Sequence, residues 1–342
     1  MRAAKRFDTQ VRNGKSWGTT HRFLLALFFL FLIVLPGVAR PQAGPPSDRR
    51  QSGPSTIRVS VGLVVLHATV QNHKGNIVSG LAQGDFHVYE NGVLQRITYF
   101  SDNDIPVTVG LVIDNSGSME PKRSEVIAAG LAFARSSNPQ DQMFVVNFNE
   151  HVRFALPDNT PFTDQPGQLD VALSRIKADG ETALYDAIAG ALEHLKSGDR
   201  NKKALIVISD GGDNASHHTL AQVITAARRS DAIIYTLDIS NRDDPDNKPR
   251  ILKQLAKDTG GEAFRPNSLS DLIPICEQIA RDIRTQYTIA YVPTNRKRDG
   301  TYRTIQVKAS APGRGRLFVR TRTGYIAPSK PQPISGNPSE RP

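Results

Sequence analysis

Asp114, Ser116 and Ser118 stand on alternate residues in the stretch Leu111-Val112-Ile113-Asp114-Asn115-Ser116-Gly117-Ser118-Met119. One carboxylate and two hydroxyls at this spacing aim hard oxygen donors in one direction, and Gly117 lets the backbone turn sharply beside them. Donors of this kind suit Mg²⁺, Mn²⁺ or Ca²⁺ and not zinc or copper, which want nitrogen or sulfur. Asp and Ser also cap helices, and a helical stretch follows, so the triplet alone fits a capping turn equally well.

The elements that must position these residues distinguish the two readings. Residues 107–113 form an apolar run that reads as a fully buried strand of a parallel sheet. Such a strand delivers Asp114, Ser116 and Ser118 to its carboxyl end, where open α/β sheets place their ligand sites. A second loop, Gly180-Glu181-Thr182-Ala183-Leu184-Tyr185-Asp186, puts Thr182 ahead of a helix. A second buried strand, Ala204-Leu205-Ile206-Val207-Ile208-Ser209, runs into Asp210-Gly211-Gly212. Three loops at the carboxyl ends of parallel strands can converge on one point.

With these residues in place the sequence resembles the von Willebrand factor type A family, whose metal-ion-dependent adhesion site combines Asp-x-Ser-x-Ser with a distant Thr and a distant Asp. The resemblance assigns the metal ligands to Asp114, Ser116, Ser118, Thr182 and Asp210, all in the expected order and contexts. It implies a bound Mg²⁺, or Mn²⁺ or Ca²⁺, with some ligands acting through water. Two carboxylates nearly neutralise such a cation and the three hydroxyls add no charge, so an open position stays electrophilic. The family fills it with a Glu or Asp from a partner protein. In integrin β subunits acidic residues after the motif hold a second metal; here those places are Pro121 and Lys122, so that second site is not carried over.

From 104 to 285 the chain alternates strand and helix: buried strands at 107–113, 143–148, 204–208 and 232–237, an edge strand at 152–156, and helices at 124–135, 169–177, 183–195, 220–229, 251–257 and 269–284. This rhythm predicts a doubly wound, mainly parallel α/β sheet covered on both faces. A Rossmann dinucleotide domain shares the rhythm but needs Gly-x-Gly-x-x-Gly after its first strand, where Asp-Asn-Ser-Gly-Ser-Met stands. Residues 57–103 and 286–327 are β-rich without helices, including an Asn91-Gly92 hairpin signal. Neither block buries two faces alone. Together they predict one β-sandwich into which the α/β domain is inserted, an arrangement similar to a bacterial group of von Willebrand-related proteins.

The chain ends supply the setting. Residues 1–39 hold six basic residues (Arg2, Lys5, Arg6, Arg12, Lys15, Arg22) and one acidic (Asp8), followed by the apolar run 23–35 and then Pro36-Gly37-Val38-Ala39. As a helix that run spans about 20 Å, short of the hydrocarbon core. It reads as a secretory signal cleaved near Ala39, with an uncleaved membrane anchor as the alternative. The expected location is secreted, periplasmic or cell envelope. Residues 40–56 read as a disordered linker and 328–342 as a disordered tail. The lone cysteine, Cys276, lies among Leu272, Ile273, Ile275 and Ile279 and reads as a buried hydrophobe; one cysteine allows no internal disulfide.

Formal charge is +10, from 43 basic and 33 acidic residues. Half of the excess sits in the leader, and the remaining basic runs, Arg296-Lys297-Arg298 and Arg314/Arg316, lack the clustering of a nucleic-acid surface. No nucleic-acid partner is expected. The eight histidines contain no His-Glu-x-x-His, and Gly-x-Ser-x-Gly is absent. His217-His218, after the Asp210 loop, is the one pair of interest to a hydrolase reading; a solvated loop is the other reading for it. The expected function is therefore a non-enzymatic, metal-dependent protein-binding or adhesion module. The alternatives are a structural envelope module that uses the metal for stability, and a metal-dependent hydrolase.

Overall fold

Every residue of the strand Val107–Asp114 is buried, as an unbroken apolar run at the centre of a two-faced sheet requires. Its neighbours press so closely that a Cβ at Gly110 would meet Phe144 Cζ at 2.4 Å and Leu205 Cδ2 at 2.6 Å. The computed structural model describes residues 62–175, 177–210, 212–240 and 249–329. The expected leader, the linker, the first residues of the strand expected from 57, and the tail beyond 329 lie outside them.

In chain order the elements are β1 (Val64–Asn72), β2 (Phe86–Glu90), β3 (Val93–Gln95), β4 (Ile97–Ser101), β5 (Val107–Asp114), α1 (Arg123–Ser136), β6 (Gln142–Phe148), β7 (Val152–Phe154), α2 (Pro166–Ser174), α3 (Leu184–His194), β8 (Lys202–Ser209), α4 (Leu220–Arg229), β9 (Ile233–Asp238), α5 (Pro249–Thr259), β10 (Ala263–Phe264), α6 (Leu272–Arg284), β11 (Tyr287–Tyr291), β12 (Tyr302–Ala309), β13 (Leu317–Arg320) and β14 (Gly324–Ile326). Boundaries depart from the sequence expectation where local chemistry intervenes. Helix α2 begins at Pro166, whose fixed φ suits a first helical position, and ends at Ser174 instead of reaching 177. The last helix is preceded by a separate 3-10 turn, Leu269–Asp271. Strand β10 has two residues, too few to register as a period, and was not anticipated.

The central sheet has the order β10-β9-β8-β5-β6-β7, parallel except for β7, which runs antiparallel to β6. Helix α1 packs against α2 and α6, and α4 against α3 and α5. From β5 the chain crosses to β6 on one side, whereas from β8 it crosses to β9 on the other. The connections therefore diverge between β5 and β8, the position at which open sheets leave a crevice.

The flanks form two further four-stranded sheets among the described residues, β13-β1-β11-β4 and β14-β12-β2-β3. Each mixes N-terminal with C-terminal strands: β1 pairs with β11 and β13, and β12 with β2. Strand β12 alternates exposed and buried residues, the mark of one solvated face. Leu66, Val70, Phe86, Val88, Tyr287, Ile289, Tyr291, Ile305 and Val307 close the core between the two sheets. The α/β domain is thus inserted into a β-sandwich built from both ends of the chain. Among the described residues no helix is long and apolar enough to cross a membrane.

Candidate functional site

The register that pairs Ile113 with Ile208 brings the ends of β5 and β8 together. Asp114, 1% exposed, ends β5, and Asp210, 9% exposed, follows β8. Ser209 Oγ donates to Asp114 Oδ2 at 2.6 Å, and the Ser116 amide donates to Oδ1 at 2.9 Å. Burial pushes the Asp114 carboxyl up to about 6 despite those two donors, and the charge of Asp210 adds to the effect. Two acids at one crevice with few donors form a site short of positive charge.

Beyond Asp114 the backbone turns into the 3-10 stretch Gly117–Lys122. Ser116 is buried and Ser118 exposed, their hydroxyl oxygens 3.2 Å apart. Asn115 fastens the turn to β6: its amide donates to Phe148 O at 2.7 Å and its Nδ2 to Asn147 Oδ1 at 3.0 Å.

The Thr182 loop is docked onto this turn by main-chain bonds. Gly117 N donates to Gly180 O at 3.1 Å and Asp179 N to Asn115 O at 3.0 Å. Gly180 has a φ of +75°, and a Cβ there would strike the Glu150 carboxylate, so both backbone and space favour glycine. Thr182 itself is 7% exposed.

The segment after Asp210 completes the enclosure by supplying the N-terminus of α3, whose first amides lack helical partners. Asn214 Oδ1 accepts from Thr182 N at 2.7 Å, Asp213 Oδ1 from Tyr185 N at 3.1 Å, and Ser216 Oγ from Asp186 N at 3.1 Å. Asp186 in turn accepts from the amides of His217 and His218 at 2.9 and 2.8 Å, and both rings lie against it at 3.2 and 2.7 Å. Burial works to raise the Asp186 carboxyl, but these bonds outweigh it and hold the group below the usual carboxylate range. The histidine pair is therefore an exposed clasp on the start of α3.

Asp114 and Asp210 thus share one crevice, Ser116 and Ser118 share one turn beside it, and hydrogen bonds tie the Thr182 loop to both. Ser209, Asn214 and Ser216 are supports that the sequence does not announce. Asp213 stands out there only as one of four acids near the motifs, with Glu120, Asp179 and Glu181, for which a plain surface carboxylate is the commoner reading. Nor does the sequence announce the contact of Lys122, whose ammonium lies 3.1 Å from Asp210 Oδ2. The proximity of Ser209 to a strand end was the one available signal. Among the described residues no three His, Cys, Asp or Glu side chains group as a metal site. The donor set at this crevice is instead two carboxylates with neighbouring hydroxyls, a chemistry that fits a hard divalent cation.

Residues 109–212 match the family model of the von Willebrand factor type A domain, a span that runs from β5 past Asp210. No curated protein matches the chain in sequence. Among solved structures, the chain is similar to a von Willebrand factor type A protein from Catenulispora acidiphila, at 16% identity over 72% of this chain and 74% of that one, with a TM-score of 0.47. It is also similar to BatB from Bacteroides thetaiotaomicron, at 19% identity over 52% of this chain and 98% of that one, with a TM-score of 0.42. The vWF domain of the type V pili tip protein Mfa5 from Porphyromonas gingivalis is 14% identical over 53% of this chain and 95% of that one, with a TM-score of 0.44. Through the segment 109–212 the chain is similar to the von Willebrand factor type A domain family.

Proposed function

We propose that the chain is an extracytoplasmic protein-binding module, not an enzyme, in which Asp114, Ser116, Ser118, Thr182 and Asp210 hold a divalent cation, Mg²⁺ or alternatively Mn²⁺ or Ca²⁺. When bound, the cation supplies an electrophilic position for an anionic oxygen, a Glu or Asp carboxylate of the partner protein. Asp114 and Asp210 provide the negative charge that would retain it, and the three hydroxyls add neutral oxygens, so an open position would stay electrophilic toward the partner. Asn115, Asn214 and Asp213 fix the three loops, so the donors are arranged before any ligand arrives. The observation that carries this reading is the buried Asp114 carboxylate beside Asp210 at the crevice between β5 and β8. The extracytoplasmic setting rests on the basic, apolar leader of the sequence.

The test is a pull-down from envelope extract with the purified chain in Mg²⁺ and then in EDTA, alongside Asp114→Ala. Capture of the same protein in Mg²⁺ only, and by the wild type only, supports the reading. Capture that is indifferent to both EDTA and the substitution assigns the partner surface elsewhere and leaves any metal a structural role.

A further inference from the structure

Lys122 closes the 3-10 turn that begins at Gly117, so the loop that carries Ser116 and Ser118 also carries this ammonium. Its Nζ lies 3.1 Å from Asp210 Oδ2, and the two side chains are only 12% and 10% exposed. An ion pair this enclosed is screened far less than one on the surface. Within the crevice the only counter-charge to the Asp114 and Asp210 pair that the described contacts show is this one ammonium. Asp114 receives neutral donors, from Ser209 and from the Ser116 amide, whereas Asp210 receives the cation.

Building on the metal-site reading above, we propose that Lys122 is a tethered competitor of the divalent cation for Asp210. The ammonium holds the carboxylate in the metal-free protein and must yield it, or accept a repulsive neighbour, when the cation enters. Lys122 therefore sets the affinity of the site without being one of its ligands. In the metal-free chain the same contact stabilises the loop after β8, because it partly neutralises two adjacent acids.

The two effects have opposite signs and separate this role from that of an ordinary ion pair. Lys122→Met keeps the length and apolar bulk of the stem and removes the charge; Lys122→Arg keeps the charge. Calorimetric titration with Mg²⁺ alone, and thermal unfolding in EDTA, are measured on both variants and on the wild type. Lys122→Met binds Mg²⁺ about tenfold more tightly, since a positive charge next to a dication is removed, and it melts lower than the wild type in EDTA. Lys122→Arg stays close to the wild type in both. Binding by Lys122→Met with no binding by the wild type is the strong form of the same result. A lower melting point in EDTA with unchanged Mg²⁺ affinity would make Lys122 a structural ion pair and overturn the proposal, while the metal site stood. Failure of both the wild type and Lys122→Met to bind Mg²⁺ would overturn the metal-site reading and the proposal together.

Discussion

Thr69 Oγ1 donates a 2.7 Å hydrogen bond to Asp282 Oδ1, joining the first sandwich strand to the last helix of the α/β domain across 213 residues of sequence. Tyr235 OH donates to the same carboxylate at 2.7 Å and Arg320 Nη2 at 2.5 Å, while Gln286 Nε2 bridges Thr69 and Tyr235. Asp282 is 4% exposed, and a carboxylate so buried persists only because donors from β1, β9 and β13 surround it. Asp282→Ala leaves the Arg320 guanidinium with the Glu262 carboxylate and the Gly260 carbonyl among its described partners. It should destabilise the protein by about 3 kcal/mol in urea denaturation, at the lower end of what breaking a buried pair costs. A loss below about 1 kcal/mol, typical of an exposed pair, would show that the junction contributes little.

The sandwich core draws Leu66, Phe86 and Val88 from one flank and Tyr287, Ile289 and Ile305 from the other. Deleting residues 286–327 removes β11 to β14, and with them the strands against which β1 and β2 pair. The N-terminal block should then be cut rapidly by protease at sites within 62–101 that the intact chain protects. Continued protection of that block in the truncated protein would refute the shared sandwich.

His67 sits on β1 near Lys202 and Arg322. Burial first, and then those two cations, push its imidazole down to about 3. In the unfolded chain the ring titrates near 6.5. Between those values the unfolded state binds a proton that the native state refuses, so stability falls as pH drops below about 6.5. His67→Gln should flatten the decline in urea midpoint between pH 7 and pH 5. Parallel declines in the variant and the wild type would show that this ring does not govern it.

The long buried strands were legible because a strand covered on both faces carries an apolar run, as residues 109–113 and 204–208 do, and an acid stands close after each run, Asp114 and Asp210. The hairpin was legible from Asn91 and Gly92, which adopt positive φ values of 47° and 80°. What escaped the sequence depends on contacts that no local pattern encodes. Asp213, Asn214 and Ser216 look like ordinary polar loop residues, yet they serve amides about thirty positions earlier. Lys122 looked like a departure from a metal-binding pattern; its contact with Asp210 joins residues 88 positions apart, which no local pattern announces. Strand β10 depends on close approach, since a Cβ at the neighbouring Gly261 would lie 2.0 Å from Ile234 O.

Cys276 is fully buried on α6, and burial pushes its thiol up to about 12. The thiolate is the reactive species, so iodoacetamide at pH 8 should leave the native protein unmodified over an hour or so and alkylate it completely in denaturant. Labelling of the native chain within minutes would place the helix face in solvent.

The most direct test of the metal site is calorimetric titration of Mg²⁺ into the wild type and Asp114→Ala, with His217→Ala as a control. Asp114 ends a strand at the crevice, and replacing it removes one of two charges without opening the apolar core. The account predicts wild-type binding, none by Asp114→Ala, and an unchanged His217→Ala. Melting should agree: Mg²⁺ at a hundred times its Kd adds about 2.7 kcal/mol to the wild type and nothing to Asp114→Ala. Wild-type affinity retained by Asp114→Ala would contradict the account and put the cation elsewhere.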